Sequence, residues 1–481
     1  MSWTPRLALG SEDGAVYLRI AEAIQADVKA GVLRVGDRLP GTRSVARSLG
    51  VHRNTVLAAW QELEAQGWIG TRPSSGTFVT ADLPPLTPAE REGVASAGFD
   101  VELPPFVGTY GDSPPGALGL LAGKPDLRLV PGDLLGRAWR RTLASPRRAR
   151  EVLAYGDPRG LPRLRRELAT MLAARRGVAT DEDRIVVTRG AQNALFLAAQ
   201  ALVRPGDVVL VEEMGFPPAW AAMQAAGATV AALPVDEGGL DVKALEAWIA
   251  EHGAPRAIYV TPHHQYPTMA VLRPGRRARL LELAARHRFA IIEDDYDNEF
   301  HFDGQPVRPL AAADTAGVVI YVGTLSKVLA PGLRLGYVVA APEAIEAIAR
   351  VRRVVDRQGD RISEAAMAEL IEDGTVPRHI RRVRRVYRDR RAVLAELLQT
   401  HLGDVLELDV PAGGLAFWPR VLDDAIDIPA WQRRCQEAEV IFRIGQELHF
   451  DGADPRHLRL GYAALDEAEL EEATRRMRAA L

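Results

Sequence analysis

The chain has 481 residues and a mass of 52.4 kDa, more than one ordinary domain accommodates, so two or three domains are expected. Its 47% apolar and 26% charged residues exclude collagen-like, low-complexity and wholly disordered chains. A net charge of −3 excludes a uniformly basic nucleic-acid coat, though not one small DNA-binding module, and the single cysteine, Cys435, excludes a disulfide framework or thiolate metal cluster. No window holds 18 uncharged apolar residues, and the start MSWTPRLALGSEDG lacks a basic-then-apolar leader. No membrane association and a cytoplasmic location are therefore expected.

In chain order, residues 15–30 read as a helix with Val16, Ile20, Ile24 and Val28 on one face. A short helix over about 43–49 stops at Gly50, and a second runs from near His52 to about Gln66. The stripe Val56, Ala59, Trp60 and Leu63 on this second helix fits the packed face of a recognition helix. Arg53, Asn54 and Thr55 fall at its N-terminal end, the part that meets base edges in a major groove, and Arg43 opens the helix before it. Ser75, Gly76 and Thr77 sit at a hairpin tip able to approach a minor groove. Seven prolines between 81 and 120 mark a semi-extended linker over 81–117.

From about 180, apolar runs of strand length (185–188, 208–212, 257–260, 290–295 and 318–323) alternate with helical stretches over 191–203, 216–226, 241–251 and 275–287. This alternation argues for a mostly parallel sheet with helices on both faces, an α/β architecture spanning about 118–345. A smaller α+β part occupies about 346–481. Within it, RHIRRVRRVYRDRR (378–391) carries eight arginines but keeps Ile380, Val383 and Tyr387 on one face, so a solvated outer face is expected for its charges. His263 and His264 are adjacent, so in a strand their side chains would point oppositely, which argues against a shared metal.

Only four of the 60 basic residues are lysines: Lys29, Lys124, Lys243 and Lys327. Lys327 stands in YVGTLSKVLAPGLRLGY, just past an apolar strand, where partial desolvation would free its amine for a Schiff base. Thr324, Ser326 and Arg334 offer three donors to a phosphate, and Gly190, Ala191 and Gln192 open a helix whose free N–H groups and dipole favour an anion. In IIEDDYDNEF, a carboxylate at the strand end, Asp294 or Asp295, can keep a pyridine nitrogen protonated, and Tyr296 can bond a ring hydroxyl. Phe216 can stack on a ring. Arg459, flanked by apolar residues in HLRLGYA, is costly unless it meets an anion, such as a carboxylate or an internal salt-bridge partner.

The run GVLRVGDRLP, Arg43, SLGVHRNTV, ELEAQGWI and SGTFV resembles the GntR-type winged helix-turn-helix over about 15–80, with Gly41 and His52 where serines are usual. The later motifs are similar to the fold-type-I pyridoxal-phosphate enzymes of the aspartate-aminotransferase group. Both together, with TPHHQYPT and EDDYDNEF, resemble the MocR/GabR-type regulators along the whole chain. The resemblance implies an α+β winged helix (1–80) joined to an α/β fold-type-I transferase domain (118–481) that binds pyridoxal 5'-phosphate. It further implies a homodimer that binds operator DNA and senses an amino acid or other amine by aldimine exchange at Lys327. By the same likeness Asp294 meets the pyridine nitrogen, Tyr296 the ring hydroxyl, and Arg334 with the Gly190–Gln192 turn the phosphate. Phe216 stacks, Arg459 takes a substrate carboxylate, and Tyr155 reaches the neighbouring subunit's phosphate. Gln265 and Tyr266 fall in the segment along the ring's hydroxyl edge. Pro218 stands where the branch responding to γ-aminobutyrate has an arginine, so a γ-carboxylate clamp is missing there. Two other readings share these residues: a working aminotransferase with a DNA-binding appendage, and a sensor of pyridoxal phosphate itself.

Overall fold

The computed structural model describes residues 3, 15–80, 99–101, 114–305, 307–453 and 455–481. It divides into two compact units, Met1–Pro104 and Pro105–Leu481. Most of the proline-rich 81–117 stretch lies outside the described residues.

The first unit packs three helices, α1 (Val16–Lys29), α2 (Thr42–Leu49) and α3 (Arg53–Ala65), against the hairpin β1 (Ile69–Arg72) and β2 (Gly76–Val79). Helical spacing puts Ile20, Ile24 and Val28 of α1 into one core with Val56, Trp60 and Leu63 of α3. Val16, expected on that face, is instead 37% exposed at the helix's first turn. Gly50 ends α2 in the left-handed conformation (φ 66°), which an L side chain adopts only at a cost, and His52 caps α3 by accepting from Asn54 N–H. An antiparallel bridge between Arg38 and Phe78 adds a third short arm to the wing.

The second unit is built on a seven-stranded sheet. Its strands are β3 (Ile185–Thr188), β4 (Val208–Glu212), β5 (Thr229–Leu233), β6 (Ala257–Val260), β7 (Ala290–Asp295), β8 (Val319–Thr324) and β9 (Gly336–Val339), in the spatial order β3-β9-β8-β7-β6-β4-β5. All neighbours run parallel except β9, which is antiparallel to both β8 and β3. Most strands are buried on both faces, which is why they read as continuous apolar runs rather than alternating ones. One face carries Val186, Val209, Tyr259, Ile292, Val322 and Val338 against helices α4 (Ala191–Leu202) and α5 (Pro217–Ala225). The opposite face, with Leu210, Ile258, Ile291 and Tyr321, runs into a core continuous with the C-terminal part. That part contains the long helix α6 (Thr375–Leu402) and the small sheet β10 (Ala416–Phe417), β11 (Arg443–Ile444) and β12 (Leu458–Gly461), ordered β10-β12-β11.

The arginine-rich stretch of α6 departs from a purely solvated face. Six of its arginines are exposed, but Arg390 and Arg391 are buried. Arg390 meets Asp126 at 2.8 Å and the Ala463 carbonyl, and Arg391 meets Asp303 at 2.7 Å. These two anchor the helix to the rest of the unit instead of facing water, because each finds a carboxylate that offsets its desolvation.

Candidate functional site

The parallel strands end on one side of the sheet, and there their C-terminal ends and the N-terminus of α4 enclose a pocket. Of the expected residues, Ala191, Gln192, Phe216, Asp294, Tyr296, Thr324, Ser326, Lys327, Arg334 and Arg459 all line it. Gly190 is the residue just before α4; its φ of 80° needs glycine, and a Cβ there would lie 3.3 Å from the Arg334 guanidinium. Gly123 is fitted as closely: its φ is 77°, and a Cβ would lie 3.0 Å from Lys327 Nζ. The backbone thus keeps clear of both the amine and the anion corner.

Residue parity separates the two carboxylates. Asp294 shares the face of Tyr259 and Ile292, borders the pocket, and accepts from the Tyr259 hydroxyl at 3.0 Å. Asp295 points to the other face, where it accepts from Tyr321 at 2.6 Å and meets Arg176 at 3.3 Å. Burial raises Asp294 to about 7, opposed by the Tyr259 hydrogen bond. Burial lowers the Lys327 ammonium to about 8, with Asp294 acting in the opposite sense.

Arg459 comes from β12 and is 2% exposed, its guanidinium 3.7 Å from the centre of the Tyr266 ring. Its Nε and Nη1 have no hydrogen-bond partner among the described residues, and no carboxylate there forms an ion pair with it. The internal salt bridge left open by the sequence is therefore not formed. Phe216 packs edge-on to Tyr266, with ring centres 5.4 Å apart.

Three expectations need correction. Thr324 was expected as a free donor, but its hydroxyl proton goes to the Leu335 carbonyl at 3.2 Å, so it shapes the turn by accepting from Ser326 N–H. The anion corner is left to Ser326 Oγ, buried and without a partner among the described residues, to Arg334, and to the first N–H groups of α4. Gln265 does not border the pocket: its amide donates to the Met214 and Tyr266 carbonyls and accepts from Thr268, holding the turn that presents Tyr266. His263 and His264 lie in a bend beyond β6, not in a strand, so their rings do not diverge and sit 4.3 Å apart.

Tyr296 donates to the His264 carbonyl at 3.0 Å, borders the pocket, and its hydroxyl oxygen faces the Arg459 guanidinium. Tyr155 lies outside the pocket, 77% exposed beneath Arg357. Tyr259 and Thr261 line the site without having been foreseen. The signal for Tyr259 was available: a lone hydroxyl inside the apolar run AIYV must find a partner once buried.

In the winged helix, Arg43, Arg53, Asn54 and Ser75 are exposed, Thr55 and Gly76 half-buried. Arg53 Nε reaches Thr42 Oγ1 at 3.4 Å, which holds the start of α3 beside the start of α2.

Residues 130–477 match the model of aminotransferase class I and II, and residues 16–79 match that of the bacterial regulatory proteins, gntR family. The chain is 33% identical, over 97% of its own length and 94% of the relative's, to the probable rhizopine catabolism regulatory protein MocR of Rhizobium meliloti. It is 31% identical to the pyridoxine biosynthesis transcriptional regulator PdxR of Corynebacterium glutamicum, over 80% of each. The chain belongs to the MocR-type transcription regulators. Among solved structures it is similar to LysN, the α-aminoadipate aminotransferase of Thermus thermophilus, with a TM-score of 0.70 and 28% identity over 76% of this chain and 92% of that one.

MocR-type regulators thus pair a DNA-binding GntR helix-turn-helix with the fold of a pyridoxal-phosphate-dependent aminotransferase. The residues present fit that cofactor: a half-buried amine whose desolvation depresses its pKa, a carboxylate lining the same pocket, an unpartnered serine hydroxyl and a helix N-terminus at the anion corner, and an aromatic wall. No helix among the described residues is long and apolar enough to cross a membrane.

Proposed function

We propose that this regulator reads an amino compound bearing a carboxylate, which takes the place of the Lys327 amine at the cofactor while Arg459 holds the carboxylate. The observation that carries the reading is the buried Arg459 guanidinium beside Lys327, with no carboxylate paired to it among the described residues. A buried guanidinium without a counter-ion costs several kcal/mol, by rough estimate, only partly offset by the Tyr266 ring, until an anion satisfies it. Bound pyridoxal phosphate supplies an aldehyde that captures amines and a ring that withdraws electrons.

The chain's own residues bind and orient. With the cofactor bound, Asp294, steadied by Tyr259, would hold the proton at the pyridine nitrogen, Tyr296 would meet the ring hydroxyl and Phe216 would cover the ring face. Ser326, Arg334 and the Gly190–Gln192 turn would hold its phosphate. Tyr155, exposed on its own subunit, reaches the phosphate of the partner in a homodimer. Arg43, Arg53, Asn54, Thr55, Ser75 and Gly76 meet operator DNA.

Two observations favour rivals: the likeness to LysN favours a working aminotransferase, and the likeness to PdxR favours a sensor of pyridoxal phosphate itself. One titration separates the amino-acid sensor from the enzyme. The cofactor-loaded protein is titrated with amino acids while absorbance and affinity for a selected operator fragment are followed. Arg459→Ala should retain the cofactor spectrum and DNA binding but lose the response by about 30-fold or more. Rapid turnover with a keto acid, and DNA affinity indifferent to the amino acid, would identify an enzyme. A normal response in Arg459→Ala would rule out a carboxylate-bearing signal.

A further inference from the structure

Beyond the pocket wall, three buried imidazoles converge. His263 and His264 lie in the bend after β6, and His301 follows the short turn Asn298–Phe300 beyond β7. None is more than 6% exposed. One nitrogen from each ring lies within 4.8 Å of those of the other two, so a single point lies within about 2.8 Å of all three. Shifts of well under an ångström at each ring would bring that to the about 2.0–2.1 Å of a zinc–imidazole bond.

The rings are oriented from behind. His263 Nδ1 is 3.0 Å from the Val307 carbonyl, which can only accept, so Nδ1 carries the proton and Nε2 presents a lone pair. His264 Nδ1 is 2.8 Å from the Asp297 carboxylate, with the same consequence for its Nε2. Those two Nε2 atoms and His301 Nδ1 are buried and have no hydrogen-bond partner among the described residues. With its proton on Nε2, His301 would complete a set of three converging lone pairs, which one water, bringing only two protons, does not satisfy. A cation satisfies all three. The carboxylate and carbonyl behind His264 and His263 are the partners that orient metal-bound histidines and fix their tautomers.

We propose that His263, His264 and His301 form a binding site for a divalent transition-metal ion of the zinc type, distinct from the cofactor pocket. Imidazole donors without a thiolate suit zinc, cobalt or nickel better than magnesium or calcium. The site joins three segments. Gly413, from the C-terminal part, bridges His301, and a Cβ on it would lie 2.8 Å from His264 Nε2. On the pocket side, the His264 carbonyl holds the Tyr296 hydroxyl. A bound ion would therefore pin the segments after β6 and β7 beneath Gly413 and steady a wall of the pocket.

The test uses the full chain loaded with pyridoxal phosphate, stripped with a chelator, then equilibrated with Zn2+ or Co2+. One ion per chain should remain in competition with a chromophoric chelator, and Co2+ should give visible bands of a low-symmetry nitrogen site. His263→Ala and His301→Ala should weaken binding at least 100-fold, and the exposed His252→Ala should not. Should either alanine variant fail to fold, His263→Gln keeps the bulk and polarity and should show the same loss. Less than stoichiometric metal on the wild type, or unchanged affinity in His263→Gln and the folded alanine variants, would overturn the proposal.

Discussion

Desolvation makes Lys327 a different reagent from Lys243 and Lys29. Lys243 is exposed and Lys29 lies over the Trp68 ring, 5.4 Å from its centre, whereas Lys327 sits in a dry pocket that lowers its ammonium to about 8. The uncharged amine is the form that captures an aldehyde, and its fraction rises with pH. Uptake of pyridoxal phosphate by the stripped protein should therefore climb about tenfold per pH unit below 8 and level off above it. Stopped-flow absorbance checks the profile, and borohydride followed by peptide mapping should place the label on Lys327 alone. A flat profile would remove the case for a tuned amine. Tyr259 is the second test. Its hydroxyl stabilises the Asp294 carboxylate, so Tyr259→Phe should raise Asp294 above about 7 and weaken cofactor binding by about tenfold or more, read by equilibrium dialysis at about pH 7.5. At this scale the sequence supplied most of the site, because motif residues that differ from their apolar surroundings stand out. It left Asp294 and Asp295 unresolved, since only strand parity against Tyr259 and Tyr321 assigns their faces. It also overrated Thr324, whose hydroxyl is used up by a backbone carbonyl that no sequence pattern displays.

Elements were legible where they were long or fully buried. The strands β3, β4, β6 and β7 match their apolar runs residue for residue, and β8 is displaced by one. The two strands of the seven-stranded sheet that were not foreseen each have a reason. β5, TVAAL, is an edge strand, half-exposed along most of its length, and its alanines give it weak contrast. β9, GYVV, is four residues long and trails the lysine loop, yet it closes the sheet between β3 and β8 by running against both. The bend at His263–His264 failed for a related reason: the period-2 argument holds only inside a strand, and β6 ends at Val260. Glycines at element ends carry a prediction. Gly190 combines a φ of 80° with an Arg334 contact that a Cβ would tighten to 3.3 Å. Gly190→Ala should cost about 1–3 kcal/mol of backbone strain, seen as a lower thermal midpoint, and should push Arg334 away from the anion corner. Inorganic phosphate or pyridoxal phosphate should then protect the variant against heat less than it protects the wild type. Equal protection would mean that the corner does not hold the phosphate.

At the scale of the molecule, a chain of net charge −3 has no general attraction for DNA, so operator binding has to come from a local surface. Two basic surfaces stand out, the start of α3 and the arginine-rich α6. α6 keeps six exposed arginines but no motif that enters a groove, and Arg390 and Arg391 are committed to Asp126 and Asp303. The start of α3 instead presents Arg53 and Asn54 to solvent at the end of a helix-turn-helix, with Arg43 exposed at the start of α2. Arg53 is also restrained by Thr42, 3.4 Å away, so less of its freedom remains to be lost on contact with a base or phosphate. Arg53→Ala should therefore weaken specific operator binding by about 1–3 kcal/mol, measured by fluorescence anisotropy at fixed salt. A base contact and a phosphate contact differ in their signatures. Loss of a base contact relaxes preference at one operator position with little change in salt slope, whereas loss of a phosphate contact lowers affinity for every sequence and reduces the slope by about one. A fragment of residues 81–481 should keep the cofactor absorbance and lose operator binding altogether. If that fragment bound the operator as tightly as the full chain, the exposed arginines of α6 would be the DNA surface, and the winged helix would need another role.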